Sequence, residues 1–173
     1  WIFELRDLWP ESIKTVGAMK QGRVIDLLEK IELGMYKSCN KVVAVTDAFK
    51  NNLITRGIRK DKIEVITNGS NMELFYPREV DTHLLNSLDL KGKFVVGYIG
   101  THGMAHSLDF IVRSIARVSD PSIHFLFIGD GAMKRKIVKI SKELQLKNIS
   151  FIDPVSKDEV PKYLSIIDIS LAP

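Results

Sequence analysis

The sequence predicts an α/β protein with parallel sheets, and three features of the chain support that prediction. Short apolar runs of strand length alternate with amphipathic segments of helix length along the 173 residues. The apolar runs are nearly continuous, which is typical of parallel strands covered on both faces. No hairpin signal joins one run to the next, so right-handed helical crossovers are expected to connect the strands.

The first part of the chain contains three apolar runs that are expected to form strands, over 1–5, 41–46 and 62–67. Three helices are expected around them, over 10–16, 21–38 and 48–56. In the longest helix, five apolar side chains recur at helical spacing and are expected to pack on the core: Val24, Leu27, Leu28, Ile31 and Met35. Thr46 or Asp47 is expected to cap the third helix, and Gly57 to end it.

Asn68 and Gly69 follow the third predicted strand and are expected to make a sharp turn with a left-handed backbone. The segment 71–77 then continues as an extended crossover, with Phe75 as a buried anchor. We therefore predict a domain boundary here, which divides the chain into domains 1–70 and 71–173.

The second part of the chain repeats the alternation of strands and helices. Four strands are expected, over 94–99, 122–128, 148–152 and 169–172. Four helices are expected, over 81–88, 106–118, 132–146 and 158–167. Pro161 suits the first turn of the last helix, because that turn does not need its backbone N–H.

The composition limits the classes of function. A formal net charge of +4 mildly favours anionic partners such as nucleotide sugars, phospholipid head groups or nucleic acid. Cys39 is the single cysteine, so no internal disulfide can form and a reducing compartment is expected. No apolar run reaches about 18 residues, so no transmembrane helix is expected. Neither end of the chain has a polar tail, which suggests a fragment of a longer protein.

Gly100 and Gly103 bracket a tight turn between the strand 94–99 and the helix 106–118. A backbone without β-carbons can approach a ligand closely, and the helix N-terminus would add N–H groups and a positive dipole. This arrangement suits phosphate or diphosphate. The alternative is a strand–helix turn whose glycines serve packing only.

A second glycine turn, Gly129 to Gly131, follows the next strand, and Asp153 ends the strand after that. The spacing resembles a dinucleotide fingerprint, but Lys134 stands where the third glycine would be. Lys134 places a positive charge near a helix start, which suits either a phosphate or a structural ion pair.

Several other sites are not supported by the sequence. There is no P-loop pattern, and the four histidines lack metal-ligand partners at useful spacing. The basic residues after Met133 have no aromatic residues among them, so nucleic-acid binding is not expected. Arg6 and Asp7 come at the carboxyl edge of the first strand, where they could form a site or a local ion pair and cap.

Six motifs occur in an order that resembles a known family. They are RDLWP at 6–10, VVAVTDAFKNNL at 42–53, KIEVITNG at 62–69, Phe75-x-Pro77, GYIGTHG at 97–103 and FIGDG at 127–131. Together they resemble glycosyltransferase family four, the GT-B enzymes that transfer sugars from nucleotide-diphosphate donors. The resemblance is closest to the branch that builds bacterial cell-surface polysaccharides.

The resemblance implies two Rossmann-like domains, both incomplete in this chain. Residues 1–70 would be the later part of the acceptor domain, and 71–173 the earlier part of the donor domain. Asn68 and Gly69 would lie at the interdomain crossover, and Arg6 and Asp7 would be catalytic residues on the acceptor side. The donor would be bound by Gly100, Thr101, His102, Gly103, His106, Gly129, Gly131, Lys134 and Val155. In this set the backbone N–H groups of 100–103 would hold the diphosphate.

The function implied by the resemblance is sugar transfer with retained anomeric configuration and without a metal or cofactor. A UDP- or GDP-sugar would be the donor, and a glycan or polyprenyl-linked molecule the acceptor. The protein would be cytoplasmic, with a peripheral contact at the inner face of the plasma membrane through the loose basic stretch 17–23. The chain by itself is expected to be inactive.

This sequence departs from the family pattern at the diphosphate. Thr101 and His106 stand where many members have Arg and Lys, and Arg6 stands where many have His. The missing charge would come from Arg6, from the dipole of the helix 106–118, or from protonated His102 or His106. The family's paired glutamates would lie beyond Pro173. The alternatives are a GT-B-shaped nucleotide-sugar epimerase and a nucleotide-sugar-binding module without catalysis.

Overall fold

The computed structural model describes residues 1–15, 17 and 22–173. The chain divides into two compact units, Trp1–Ser70 and Asn71–Pro173. Each is an α/β unit with its own parallel sheet and its own core. The predicted fold class of two Rossmann-like parallel-sheet domains is therefore confirmed.

The first unit is built on a three-stranded parallel sheet. Its strands, β1 to β3, are Ile2–Leu5, Lys41–Ala44 and Ile63–Val65, in the order β1-β2-β3. Its helices, α1 to α3, are Glu11–Thr15, Arg23–Ser38 and Asp47–Thr55. Thr46 caps α3, because its hydroxyl oxygen accepts a hydrogen bond from the Phe49 N–H at 3.2 Å. The predicted start of α2 at Gln21 and the predicted end of α1 at Val16 lie outside the described residues.

The helix α2 presents a different face to the core from the one predicted. Its buried residues are Ile25, Glu32 and Tyr36. Four of the five side chains expected in the core are 40–59% exposed instead: Val24, Leu27, Ile31 and Met35. Tyr36 packs in the core, and its hydroxyl donates to the Glu32 carboxylate at 2.6 Å. The face of α2 that carries Tyr36 and Glu32 is therefore the face that packs on the core.

The second unit is built on a four-stranded parallel sheet. Its strands, β4 to β7, are Phe94–Ile99, Ile123–Ile128, Ile149–Ile152 and Ile169–Ser170, in the order β6-β5-β4-β7. Its helices, α4 to α7, are Thr82–Ser87, Leu108–Ile115, Lys134–Glu143 and Val160–Ser165. From β4 the chain adds β5 and β6 on one side of the sheet and then β7 on the other side. Ligands of open α/β sheets bind where the strand order changes direction in this way.

The sheet of the second unit is covered on both faces, as its continuous apolar strands predict. Val96, Tyr98 and Phe127 belong to a core cluster that contains residues of α5 and α6. Val95 and Leu126 belong to a second cluster with Leu90 and Ile166. Neighbouring residues of one strand thus enter different clusters, which explains why the strands lack an apolar–polar alternation.

Two local predictions are wrong. Asn68 and Gly69 form no sharp turn, and neither has a positive φ. An Asn-Gly turn reverses the chain into a paired antiparallel strand, and no such strand follows β3. The predicted helix 106–118 is shorter, because Met104–His106 forms a 3₁₀ turn and Ser107 has a left-handed backbone with φ 46°. The α-helix therefore begins only at Leu108 and ends at Ile115.

Within the described part of the chain, no helix combines the length and the apolar composition that crossing a lipid bilayer would require.

Candidate functional site

A cleft of about 470 Å³ opens in the second unit at the carboxyl ends of β4, β5 and β6. It is lined by Ile99, Gly100, Thr101, Ile128, Gly129, Asp130, Pro154, Val155 and Val160. This is the edge at which open α/β sheets bind ligands. Of the predicted donor-binding residues, the structure brings four together here: Gly100, Thr101, Gly129 and Val155. The others do not line the cleft.

The loop after β4 is fastened to its surroundings by backbone hydrogen bonds. The Gly100 N–H donates to the Ile128 carbonyl at 3.0 Å, and the His102 N–H donates to the Asp130 carbonyl at 2.7 Å. The Tyr98 hydroxyl donates to the Thr101 carbonyl at 2.7 Å. Two of the four N–H groups predicted to hold a diphosphate are thus already used.

The N–H groups of Thr101 and Gly103 differ from those of their neighbours. Neither donates a hydrogen bond to an acceptor within residues 1–15, 17 and 22–173. Thr101 is exposed and Gly103 is partly exposed, so a ligand can reach both residues. Of the four amides that were predicted to hold a diphosphate, these are the two that an anion could take without breaking a hydrogen bond within the described residues.

The glycines of the second turn allow two loops to touch. Gly129 and Gly131 have φ angles of 137° and 153°, which side chains rarely adopt. A β-carbon on Gly129 would overlap the carbonyl oxygen of Gly100, and one on Gly131 would lie 2.6 Å from the carbonyl oxygen of His102. Gly131 therefore lies against the β4 loop rather than in the cleft.

His102 is wholly buried beneath the loop. Its ring centre lies 5.8 Å from that of Tyr98 and 6.3 Å from that of Phe127. Burial, and secondarily the charge of Lys134, lower the pKa of His102, so its ring is neutral near pH 7. The burial and the lowered pKa of His102 therefore do not support the expectation that a protonated His102 supplies charge to a leaving group.

His106 and the start of α5 form a weaker anion site than predicted. His106 lies in the 3₁₀ turn, with its ring 6.1 Å from that of Tyr98. The first turn of α5 carries Asp109, whose carboxylate accepts from Lys136 at 2.7 Å. The hydrogen bond and charge of Lys136 lower the pKa of Asp109. A carboxylate thus already occupies the positive end of this helix.

Lys134 forms the structural ion pair that was one of its two predicted roles. Its ammonium group lies 2.6 Å from the Asp153 carboxylate and donates to the Gly129 carbonyl at 2.8 Å. These contacts hold the turn after β5 and the end of β6 together. The hydrogen bond and the charge of Lys134 lower the pKa of Asp153. The charge of Lys134 is therefore partly neutralised beside the cleft.

Arg6 and Asp7 lie in the first unit, directly after β1. Arg6 is paired with Glu4 rather than with Asp7, since its Nε donates to the Glu4 carboxylate at 3.0 Å. An apolar cavity of about 270 Å³ adjoins both residues and includes Phe3 and Met35 in its lining. The Arg6 side chain is 67% exposed and accessible to a ligand.

The sequence reasoning missed two features. Asp130 lines the cleft as an exposed carboxylate, and its position between two glycines after a strand was the signal that could have found it. A buried cluster of Glu32, Tyr36 and Arg56 lies in the first unit, and no local motif marks it. Across the residues that the structure describes, no group of three or more His, Cys, Asp or Glu is arranged to hold a metal ion.

Comparison with known proteins identifies the family. Residues 83–173, more than half of the chain, match the profile of the family described as "Glycosyl transferases group 1". The chain belongs to the group 1 glycosyltransferases. The cleft and both glycine turns lie within the matched segment.

Two curated relatives are also named as glycosyltransferases. A protein named for colanic acid biosynthesis, WcaI of Escherichia coli, is 25% identical over 158 residues, which cover 90% of this chain and 39% of that one. A protein named for teichuronic acid biosynthesis, TuaH of Bacillus subtilis, is 25% identical over 177 residues, with coverages of 99% and 43%. The chain thus spans about two fifths of the length of these glycosyltransferases.

Solved glycosyltransferase structures share the fold. HepE of Anabaena, in complex with UDP and glucose, matches with a TM-score of 0.78 and 17% identity over 98% of this chain and 45% of that one. WaaG, described as involved in lipopolysaccharide biosynthesis, matches with a TM-score of 0.75 and 12% identity over 99% and 50%. These likenesses confirm the GT-B fold that the group 1 glycosyltransferase motifs predicted.

Proposed function

We propose that the protein transfers a sugar from a nucleotide-diphosphate donor to a glycan or lipid-linked acceptor, and that the cleft beyond β4–β6 holds the donor. The observation that carries this proposal is that the amides of Thr101, which lines the cleft, and of Gly103, two residues further along the same loop, have no acceptor within the described part of the chain. Membership in the group 1 family and the UDP bound in HepE support it.

In this proposal the diphosphate accepts hydrogen bonds from the amides of Thr101 and Gly103. Fixed N–H dipoles stabilise the charge that develops as the diphosphate leaves, without reorganising during the reaction. Val155 and Pro154 form the wall nearer the nucleoside. The transfer is retaining, needs no metal and passes through an oxocarbenium-like state, as in related glycosidic chemistry. Arg6 and Asp7 stay the proposed catalytic residues on the acceptor side.

The protein's place in the cell is part of the same proposal. Cys39 is buried and free, as a reducing cytoplasm would maintain it. A lipid-linked acceptor would bring the protein to the inner face of the plasma membrane. The stretch proposed for that contact, 17–23, falls largely outside the described residues.

The decisive experiment removes the Gly103 N–H and compares that variant with a matched one that keeps it. Gly103 has φ −89°, which lies near the proline range, and a β-carbon there would meet nothing closer than 3.4 Å. Gly103→Pro therefore deletes the N–H, and Gly103→Ala keeps it. UDP and GDP are titrated by calorimetry into the 173-residue chain and both variants.

We expect the proline variant to bind the preferred nucleotide about tenfold more weakly, because a hydrogen bond to a charged group is lost. The alanine variant should bind like the unmodified chain. Equal loss in both variants would contradict an amide role. Absence of binding to UDP and GDP in the unmodified chain would contradict donor binding by this cleft.

A nucleotide-sugar-binding protein without transfer is the second candidate function. It is favoured by the neutral ring of His102 and the ion-paired Lys134, since both reduce the positive charge beside the cleft. Release of UDP from UDP-glucose distinguishes the two candidates when it is measured on a longer chain that spans the length of the curated relatives, because the 173-residue chain by itself is expected to be inactive. A binding module of that length would bind the nucleotide sugar without releasing UDP.

A further inference from the structure

His102 is an unusual buried group. Its side chain has no solvent exposure, and neither ring nitrogen has a hydrogen-bond partner within the described part of the chain. A buried polar group without a hydrogen-bond partner costs free energy, so the two ring nitrogens of His102 do not stabilise the fold.

The backbone of His102 joins the two loops of the candidate site. Its N–H donates to the Asp130 carbonyl at 2.7 Å, and its carbonyl accepts from the Met133 N–H at 2.8 Å. Its neighbours, Thr101 and Gly103, carry amides that have no acceptor among the described residues. A ring leaving the core would therefore move both amides and separate the loops.

We propose that His102 is a positioning residue: its uncharged, buried ring holds the Thr101 and Gly103 amides in place for the donor diphosphate, and protonation releases the loop. The proposal rests on the proposed function and adds acid sensitivity to it. Because the ring has no hydrogen-bond partner, a proton added to it would create a buried cation with no compensating acceptor.

Three titratable groups contact this ring or act on its charge, and a fourth, His106, contacts Tyr98. Tyr98 on β4 and His106 in the 3₁₀ turn belong to the same ring cluster, while Lys134 on α6 and Asp130 after β5 act through their charges. Asp130 raises the pKa of His102, but burial and Lys134 lower it by more. The neutral ring is thus favoured in the folded state, and its contribution to stability is lost as the pH falls below about 6.5, the ordinary value.

His124 is a matched control in the same unit. Its ring is half-buried on β5, its Nε2 lies 2.9 Å from the Ser150 hydroxyl, and burial lowers its pKa as well. Both histidines therefore make stability fall in acid with the same sign. His102 alone of the two has backbone contacts with the loop after β5.

The test compares His102→Phe and His124→Phe with the unmodified chain. Phenylalanine keeps an aromatic ring in the core and cannot be protonated. The dissociation constant for UDP is measured by calorimetry at pH 7.5 and pH 5.5. Because the phosphate of UDP also titrates in this range, the variants are compared at equal pH.

From pH 7.5 to 5.5 we expect the unmodified chain and His124→Phe to lose at least about threefold more UDP affinity than His102→Phe loses. An equal loss in all three proteins would overturn the proposal. A general loss of packing would instead weaken His102→Phe at both pH values.

Hydrogen exchange supplies the second measurement. Protection of the Gly100 and His102 amides should fall in acid before that of the β5 amides, in the unmodified chain and in His124→Phe. Simultaneous loss of protection in both regions would overturn the proposal. This readout needs neither UDP nor a folded His102→Phe variant, so it separates failure of this inference from failure of donor binding.

Discussion

A β-carbon added at Gly131 would lie 2.6 Å from the carbonyl oxygen of His102. The loops after β4 and β5 therefore meet backbone to backbone, with no room for a side chain between them. The glycine that resembles part of a dinucleotide motif serves loop packing. For the first glycine turn, the sequence allows the alternative that the glycines serve packing only. The structure shows this packing role at the second glycine turn.

Gly131→Ala should destabilise the second unit by about 1–3 kcal/mol, because φ 153° is strained for alanine and the β-carbon meets the His102 carbonyl. Urea unfolding measures the loss. Gly92→Ala is the control, since Gly92 also has a positive φ of 74° but open space around it. Equal losses at both positions would show that backbone strain, not the loop contact, is responsible.

Ser107→Gly should stabilise the chain by about 1 kcal/mol, because Ser107 has a left-handed φ of 46° and its side chain makes no cap hydrogen bond. Thermal and urea unfolding both report the gain. Ser107→Ala is the control and should bring no gain, since alanine has the same backbone strain. A gain in both variants would instead implicate the serine hydroxyl.

Arg56→Ala should destabilise the first unit by about 3–5 kcal/mol, because it leaves the buried carboxylate of Glu32 without its cation. Tyr36 also binds this carboxylate, and burial together with that hydrogen bond raises the pKa of Tyr36 above its usual range. Arg59→Ala, which removes an exposed pair with Asp61, should cost under about 1 kcal/mol in the same urea experiment.

Lys134→Met should raise the pKa of Asp153 to its ordinary range, as measured by NMR titration of the carboxyl group. A carboxyl group whose pKa is lowered by folding stabilises the fold at pH values above its pKa in the unfolded state. This contribution is lost as the pH falls through its pKa in the folded state. Asp120 is the control, because Ser122 is the main cause of its lowered pKa. A shift at both carboxyls would indicate a general charge effect.

The strands were predictable to within a few residues because their cause is local. A strand with a core on both of its faces needs a continuous apolar run, and such a run is visible in the sequence itself. Two strands show this, Phe94–Ile99 and Ile123–Ile128. The face of α2 was not predictable in this way. Glu32 is buried where it pairs both with Tyr36 and with Arg56, which is 24 residues away in the sequence.

The sequence indicated the sheet edge at which the candidate site lies, but not how the individual side chains are arranged there. The glycine turn after β4 predicted a site at the sheet edge where the structure has a cleft, and that cleft is lined by Thr101. The sequence could not show that His102 turns inward, because its burial depends on Phe127 and Asp130 from the next strand and loop. Ser107 likewise delays the start of the predicted helix to Leu108 through a backbone angle that its residue type does not favour.

The pairing of β4 with β7 has a consequence for the newly made protein. Val96 pairs with Ile169 and Gly97 with Ser170, so one edge of β4 is completed only by residues made much later. While the ribosome synthesises the intervening chain, this apolar strand has an unpaired edge that other nascent chains could join. Chaperone protection during translation would therefore matter most between the synthesis of these two strands.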